Sequence, residues 1–139
     1  VKEQEKLKGR TYNQHWVVFD KDDFPENDFN SAILLAQQNG FEVAYSNQAF
    51  EFWFLLHFNL YQGALHRSRY EKMLSALLGF AYTKKSGVSS KMFNILFSKQ
   101  EQAINHAKTI MRQFDGNNPA QQESSTTVHL LVKELNKFL

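Results

Sequence analysis

Apolar positions change their spacing along this chain in a way that separates strands from helices. The run Trp16-Val17-Val18-Phe19 is continuous and short, as in a strand buried on both faces, and it stops at Asp20-Lys21-Asp22-Asp23 and Pro25. Beyond it, Phe29, Ala32, Ile33 and Ala36 recur at helical spacing, with Asn27 or Asp28 as the expected cap and Asn39-Gly40 as the stop. Phe41 to Tyr45 then reads as a second strand ending at Ser46-Asn47. Strand, helix, strand predicts a βαβ unit with parallel strands, so Asp20 and Ser46-Asn47 face one rim.

The rest predicts helices. Ala49 to Phe58 is apolar nearly all round except Glu51 and His57, and is expected to be a buried helix capped by Ser46 or Asn47. Ser68 to Glu71 matches a capping box ahead of Met73, Leu74, Leu77 and Leu78, and Gly79 closes that helix. A basic loop, Tyr82 to Gly87, leads to a helix opened by Ser89 or Ser90 and running to Phe97. Ala103, Ile104, Ala107, Ile110, Met111 and Phe114 mark a longer one, residues 116–127 read as a polar connector, and Val128, Leu131, Val132 and Leu135 mark the last. The expectation is one α/β domain over 1–139, with helices from about residue 66. A sheet of two strands is small, and no third strand stands out.

Composition narrows the chemistry. Without cysteine, disulfides, thiolate nucleophiles and Cys-based zinc sites are excluded, and a reducing, cytoplasmic setting is the expectation. Sixteen basic residues against 14 acidic give +2, too little to announce nucleic-acid binding by composition alone. No apolar run approaches the roughly 20 residues that span a bilayer, and VKEQEKLKGR has no signal-peptide core. The chain begins at Val1, as a fragment or processed product would. Phe is frequent at 13 residues, enough for a core of large rings and for a partner surface.

Carboxylates at the carboxyl end of a parallel strand make Asp20 and Asp22 candidate ligands for Mg²⁺, with Mn²⁺ as the substitute. Spaced i and i+2, they leave a strand on one side. The competing reading is a solvated Asp turn. Glu51 is either a third site carboxylate or a buried structural acid, and lies about 120° around the helix from His57, too far for direct pairing. His57 reads as a core histidine. Ser46 and Asn47 are candidate phosphate contacts or helix caps, and Lys84 and Lys85, near Arg67 and Arg69, are candidate nucleic-acid contacts or a solvated loop. Asp23 is expected to be the solvated acid.

The strings VVFDKDDF and VAYSNQAFEFWFLLHF, with STTVHLLVKEL near the end, resemble the RloB-like family, bacterial proteins encoded near restriction-modification loci and linked to abortive phage resistance. The resemblance implies a Toprim-like open parallel sheet, a metal-dependent core in which a glutamate follows the first strand and an Asp-x-Asp pair a later one. Asp20 and Asp22 match the pair. No glutamate-bearing strand precedes Asp20, which fits a core missing its first βα unit or a third carboxylate from elsewhere, with Glu51 the internal candidate. The implied function is a Mg²⁺-dependent nuclease or phosphotransfer domain acting on nucleic acid, with Asp20, Asp22 and Glu51 catalytic. The alternatives are a noncatalytic module binding a protein partner of a defence complex, and a phosphohydrolase with an Asp nucleophile.

Overall fold

The computed structural model describes residues 2–9 and 11–139. It is an α/β protein with a small mixed sheet and a largely helical second half. An unexpected N-terminal helix, α1 (Lys2–Lys8), is tied to residues 12–15 by Glu5, which accepts the Tyr12 N–H at 3.1 Å and meets His15 Nε2 at 2.7 Å.

The βαβ unit is present. Strands β1 (Trp16–Asp20) and β2 (Glu42–Asn47) pair in parallel, Val17 opposite Val43 and Asp20 opposite Ser46. Helix α2 (Glu26–Gln38) crosses between them and buries Phe29 and Ile33 against Val43 and Tyr45. Phe29 sits edge-on between Phe19 and Tyr45, with ring centroids 5.7 and 5.6 Å away. The helix opens ahead of Asn27, because extended Pro25 serves as its cap and places Glu26 and Asp28 in the first turn, where the helix dipole favours acids. It stops at Asn39-Gly40, with Gly40 at φ 77°.

The third strand was not expected. Within the polar stretch 116–127, β3 (Ser125–Thr126) pairs antiparallel with the end of β2, Ser46 opposite Thr126 and Asn47 opposite Ser125. The sheet order is β1-β2-β3, so only the β1–β2 pair has the parallel arrangement anticipated for the whole sheet.

Other boundaries differ for local reasons. Helix α3 (Glu51–Leu55) covers only part of 49–58, and no side chain caps it. Ser46 and Asn47 cannot do so, since they are strand residues bonded to the C-terminal segment. The capping box at Ser68 is absent. A 3-10 turn occupies Arg67–Arg69, the Ser68 hydroxyl meets His66 Nδ1 at 2.8 Å, and α4 (Tyr70–Leu78) starts after it, ending at left-handed Gly79. Helix α5 (Ser86–Phe97) starts ahead of Ser89, followed by α6 (Gln100–Met111) and α7 (Val128–Asn136).

The larger core lies on the side of the sheet away from α2. Phe52, Leu55, Leu56, Tyr70, Leu74 and Ala107 are almost wholly buried there. Each large side chain of this kind contributes about 1.5–3 kcal/mol by leaving water. The phenylalanines divide: Phe29 and Phe52 are core, whereas Phe24, Phe93 and Phe97 are exposed. Among the described residues, no helix is long and apolar enough to cross a membrane.

Candidate functional site

The carboxyl ends of β1 and β2 are held together beyond the strands themselves. The Lys21 N–H donates to the Ser46 carbonyl at 3.0 Å and the Asp22 N–H to the Gln48 carbonyl at 2.8 Å. Asp22 at φ 45° and Gln48 at φ 95° both adopt left-handed backbone, costly for Gln48 and tolerated by Asp. Asp22 has therefore left the strand, and the i, i+2 strand geometry expected of Asp20 and Asp22 does not describe it. The Phe24 N–H closes the turn onto the Lys21 carbonyl at 3.0 Å.

Asp20 is half-buried, and the backbone N–H of Phe50 donates to its carboxylate. Burial pushes the Asp20 carboxyl above the usual range, and the neighbouring charges of Asp22 and Glu51 push the same way, against the Phe50 N–H and Lys84. The charges of Asp22 and Glu51 thus reach Asp20 across the rim.

Glu51, only 5% exposed, opens α3. Its Oε1 accepts the Tyr82 hydroxyl at 3.1 Å and meets Lys84 Nζ at 3.1 Å. The pairing explains how a buried acid is tolerated at that position. In return Glu51 holds the Lys84 ammonium more firmly charged, while burial and the Glu51 charge hold the Tyr82 phenol protonated. Lys84 remains 68% exposed, and Lys85 beside it is exposed.

A second cation balances the turn. The Arg67 guanidinium pairs with Asp23 and lies 3.8 Å from Asp22, and the Arg67 N–H donates to Gln48 Oε1 at 2.9 Å. Asp23 is 86% exposed, as expected of the solvated acid, and Arg67 draws its pKa down. Asp22, Glu51, Arg67, Tyr70 and Lys84 line a cleft of about 270 Å³, while Asp20 faces a neighbouring hollow with Phe19 and Phe24.

Ser46 and Asn47 turn inward, each 1% exposed. Asn47 donates to the carbonyls of Pro119 and Ala120 at 2.8 and 2.9 Å, and the Ser46 hydroxyl lies 3.0 Å from that of Thr126. These bonds fasten β2 to the C-terminal segment, and neither residue lines the cleft. His57 is a buried core residue, with Nδ1 2.9 Å from the Trp53 carbonyl and no bond to Glu51.

Asp20, Asp22 and Glu51 offer the hard oxygen donors that Mg²⁺ or Mn²⁺ takes. Among the described residues, however, no three His, Cys, Asp or Glu side chains form a ready-made metal cluster. Gln48, which carries Arg67 to the rim, and Tyr82, which holds Glu51, gave no sign of these roles in the sequence, because backbone sign and a contact 31 residues away leave no local pattern.

The fold and rim define an α/β protein with carboxylates gathered at the ends of a parallel strand pair. The chain belongs to the RloB-like family, whose model, described as RloB-like protein, matches residues 1–135. No curated protein and no solved structure matches it.

Proposed function

We propose that this chain carries the acidic half of a Mg²⁺-dependent phosphoryl-transfer site acting on nucleic acid, in the phage-defence setting that the family resemblance implies. On this reading β1, α2 and β2 are part of a Toprim-like core. The observation that supports it is the convergence of Asp20, Asp22 and Glu51 at the strand ends, with Asp20 half-buried against like charge. Arrangements that destabilise a folded protein in this way are concentrated at functional sites.

Asp20 and Asp22 are the residues to hold the ion. Bound there, it supplies Lewis-acid polarisation of a phosphodiester oxygen. Glu51, fixed by Tyr82, is the general acid or base, and Lys84 can leave it to contact a phosphate, being mostly exposed.

The noncatalytic reading has one observation in its favour: Lys84 and Arg67 already balance Glu51, Asp22 and Asp23 without an ion. Calorimetric titration with Mg²⁺ and Mn²⁺ separates the two. The catalytic reading expects binding that the Asp20→Asn/Asp22→Asn variant loses, with Mn²⁺-dependent cleavage of nucleic acid lost in parallel and also lost in Glu51→Gln. An absence of ion binding at millimolar concentration, or cleavage unchanged by these substitutions, overturns it in favour of the interaction module.

A further inference from the structure

The charge of the chain is unevenly distributed. Between residues 72 and 100 stand Lys72, Lys84, Lys85, Lys91 and Lys99, with no aspartate or glutamate, although the whole chain is only +2. Aromatic residues are interleaved with these lysines. Against this basic segment, α3 and α5 bound a groove of about 440 Å³ whose lining includes Phe50, Trp53, Phe54, Tyr82, Phe93 and Phe97.

Two features connect the groove to the acidic rim. Glu51 and Lys84 line both the groove and the acidic cleft, so the two spaces share one wall. Phe50 donates its backbone N–H to Asp20 while its ring faces the groove. At the open side, Phe93 and Phe97 lie 5.4 Å apart at a tilt of 35°, and are 63% and 52% exposed. Exposed rings on a groove that Lys84 also lines, adjoining the carboxylate rim, are the elements of a single-strand binding surface.

We propose that this groove receives an unpaired nucleobase of single-stranded nucleic acid, stacked on the exposed rings, with the neighbouring phosphate brought to Lys84 beside Glu51. The inference deepens the phosphoryl-transfer reading and rests on it for the placement of the phosphate. A duplex keeps its bases stacked on one another and does not offer a ring face to Phe93 or Phe97. A second copy of this chain is a poorer occupant, because it would set the same lysines against each other.

The test is fluorescence anisotropy with a labelled single strand of about 12 nucleotides, compared with the duplex of the same sequence, in EDTA so that ion binding plays no part. Single strand is expected to bind at least about tenfold more tightly than duplex, and the Phe93→Ser/Phe97→Ser variant to lose about tenfold or more of that affinity. Both rings are exposed, so the variant is expected to keep the wild-type circular dichroism. Lys84→Gln, at a side chain that is 68% exposed, is expected to lower the slope of log affinity against log salt by about 0.7.

Equal affinity for single strand and duplex overturns the inference, as does single-strand binding indifferent to both variants. Sedimentation showing a dimer that the double variant dissolves also overturns it, assigning the groove to a second copy. The outcomes remain separable from those of the ion titration: single-strand binding without ion binding retains the groove and removes the catalytic reading, and ion binding without single-strand preference does the reverse.

Discussion

At the scale of single residues, Asp20 stands between folding and function. Its carboxyl is pushed upward by burial and by Asp22 and Glu51, so the folded state holds the proton more tightly than the unfolded chain does. Its contribution to stability is therefore greatest below the ordinary aspartate range and is lost as pH rises through the raised value; at neutral pH the ionised group opposes folding. Asp20→Asn is expected to stabilise the protein by about 0.5–1 kcal/mol at pH 7, a gain of a few degrees in melting temperature, while abolishing any further rise with Mg²⁺. Thermal melts with and without the ion measure both effects. Asp20, Asp22 and Glu51 were legible as candidates because acids just beyond apolar strands are visible in one dimension. The left-handed backbone of Asp22 and Gln48 was not, since neither residue type announces it.

Among elements, the parallel pair and its crossover helix were readable from apolar runs and a helical stripe, although β1 is not the buried strand its run predicts: it lies at the sheet edge, with Val18 47% exposed. β3 was not readable. It is two residues long and polar, and its pairing depends on buried hydroxyl and amide bonds that carry no hydrophobic signature. Asn47 fastens the turn that precedes β3, at Pro119 and Ala120. Asn47→Ala leaves the Pro119 and Ala120 carbonyls without their donor in a buried setting and is expected to cost about 1–3 kcal/mol. Urea unfolding measures the loss, and proteolysis confined to residues near 119–126 is its expected local sign. The short α3 has the same origin, because the side chains anticipated as its caps are engaged across the sheet.

For the molecule as a whole, burial of histidine weakens the fold toward acid. His129 in α7 is 4% exposed, with Nδ1 unbonded, and burial together with Lys108 and Lys133 pulls its pKa down to about 4, against a bond to the Thr126 carbonyl. His57 is shifted downward by burial as well. Both are neutral in the folded state, so the stability they contribute is complete above about pH 6.5 and declines as pH falls toward about 4. The urea midpoint is expected to fall across that window by the equivalent of about 1–2 kcal/mol, and to fall less in His129→Phe. The division into a βαβ unit and a helical half was visible in the sequence, but the closure between them was not: Ser46 and Thr126, whose hydroxyls meet, are separated by 80 positions. That closure also governs when the rim can mature. Loop closure must precede the contacts that reward it, so during synthesis the ends of β1 and β2 lack their support until the segment 119–127 has emerged. A nascent chain that stops short of residue 119 therefore presents the end of β2 without the bonds that Tyr45, Ser46 and Asn47 make to that segment in the finished fold.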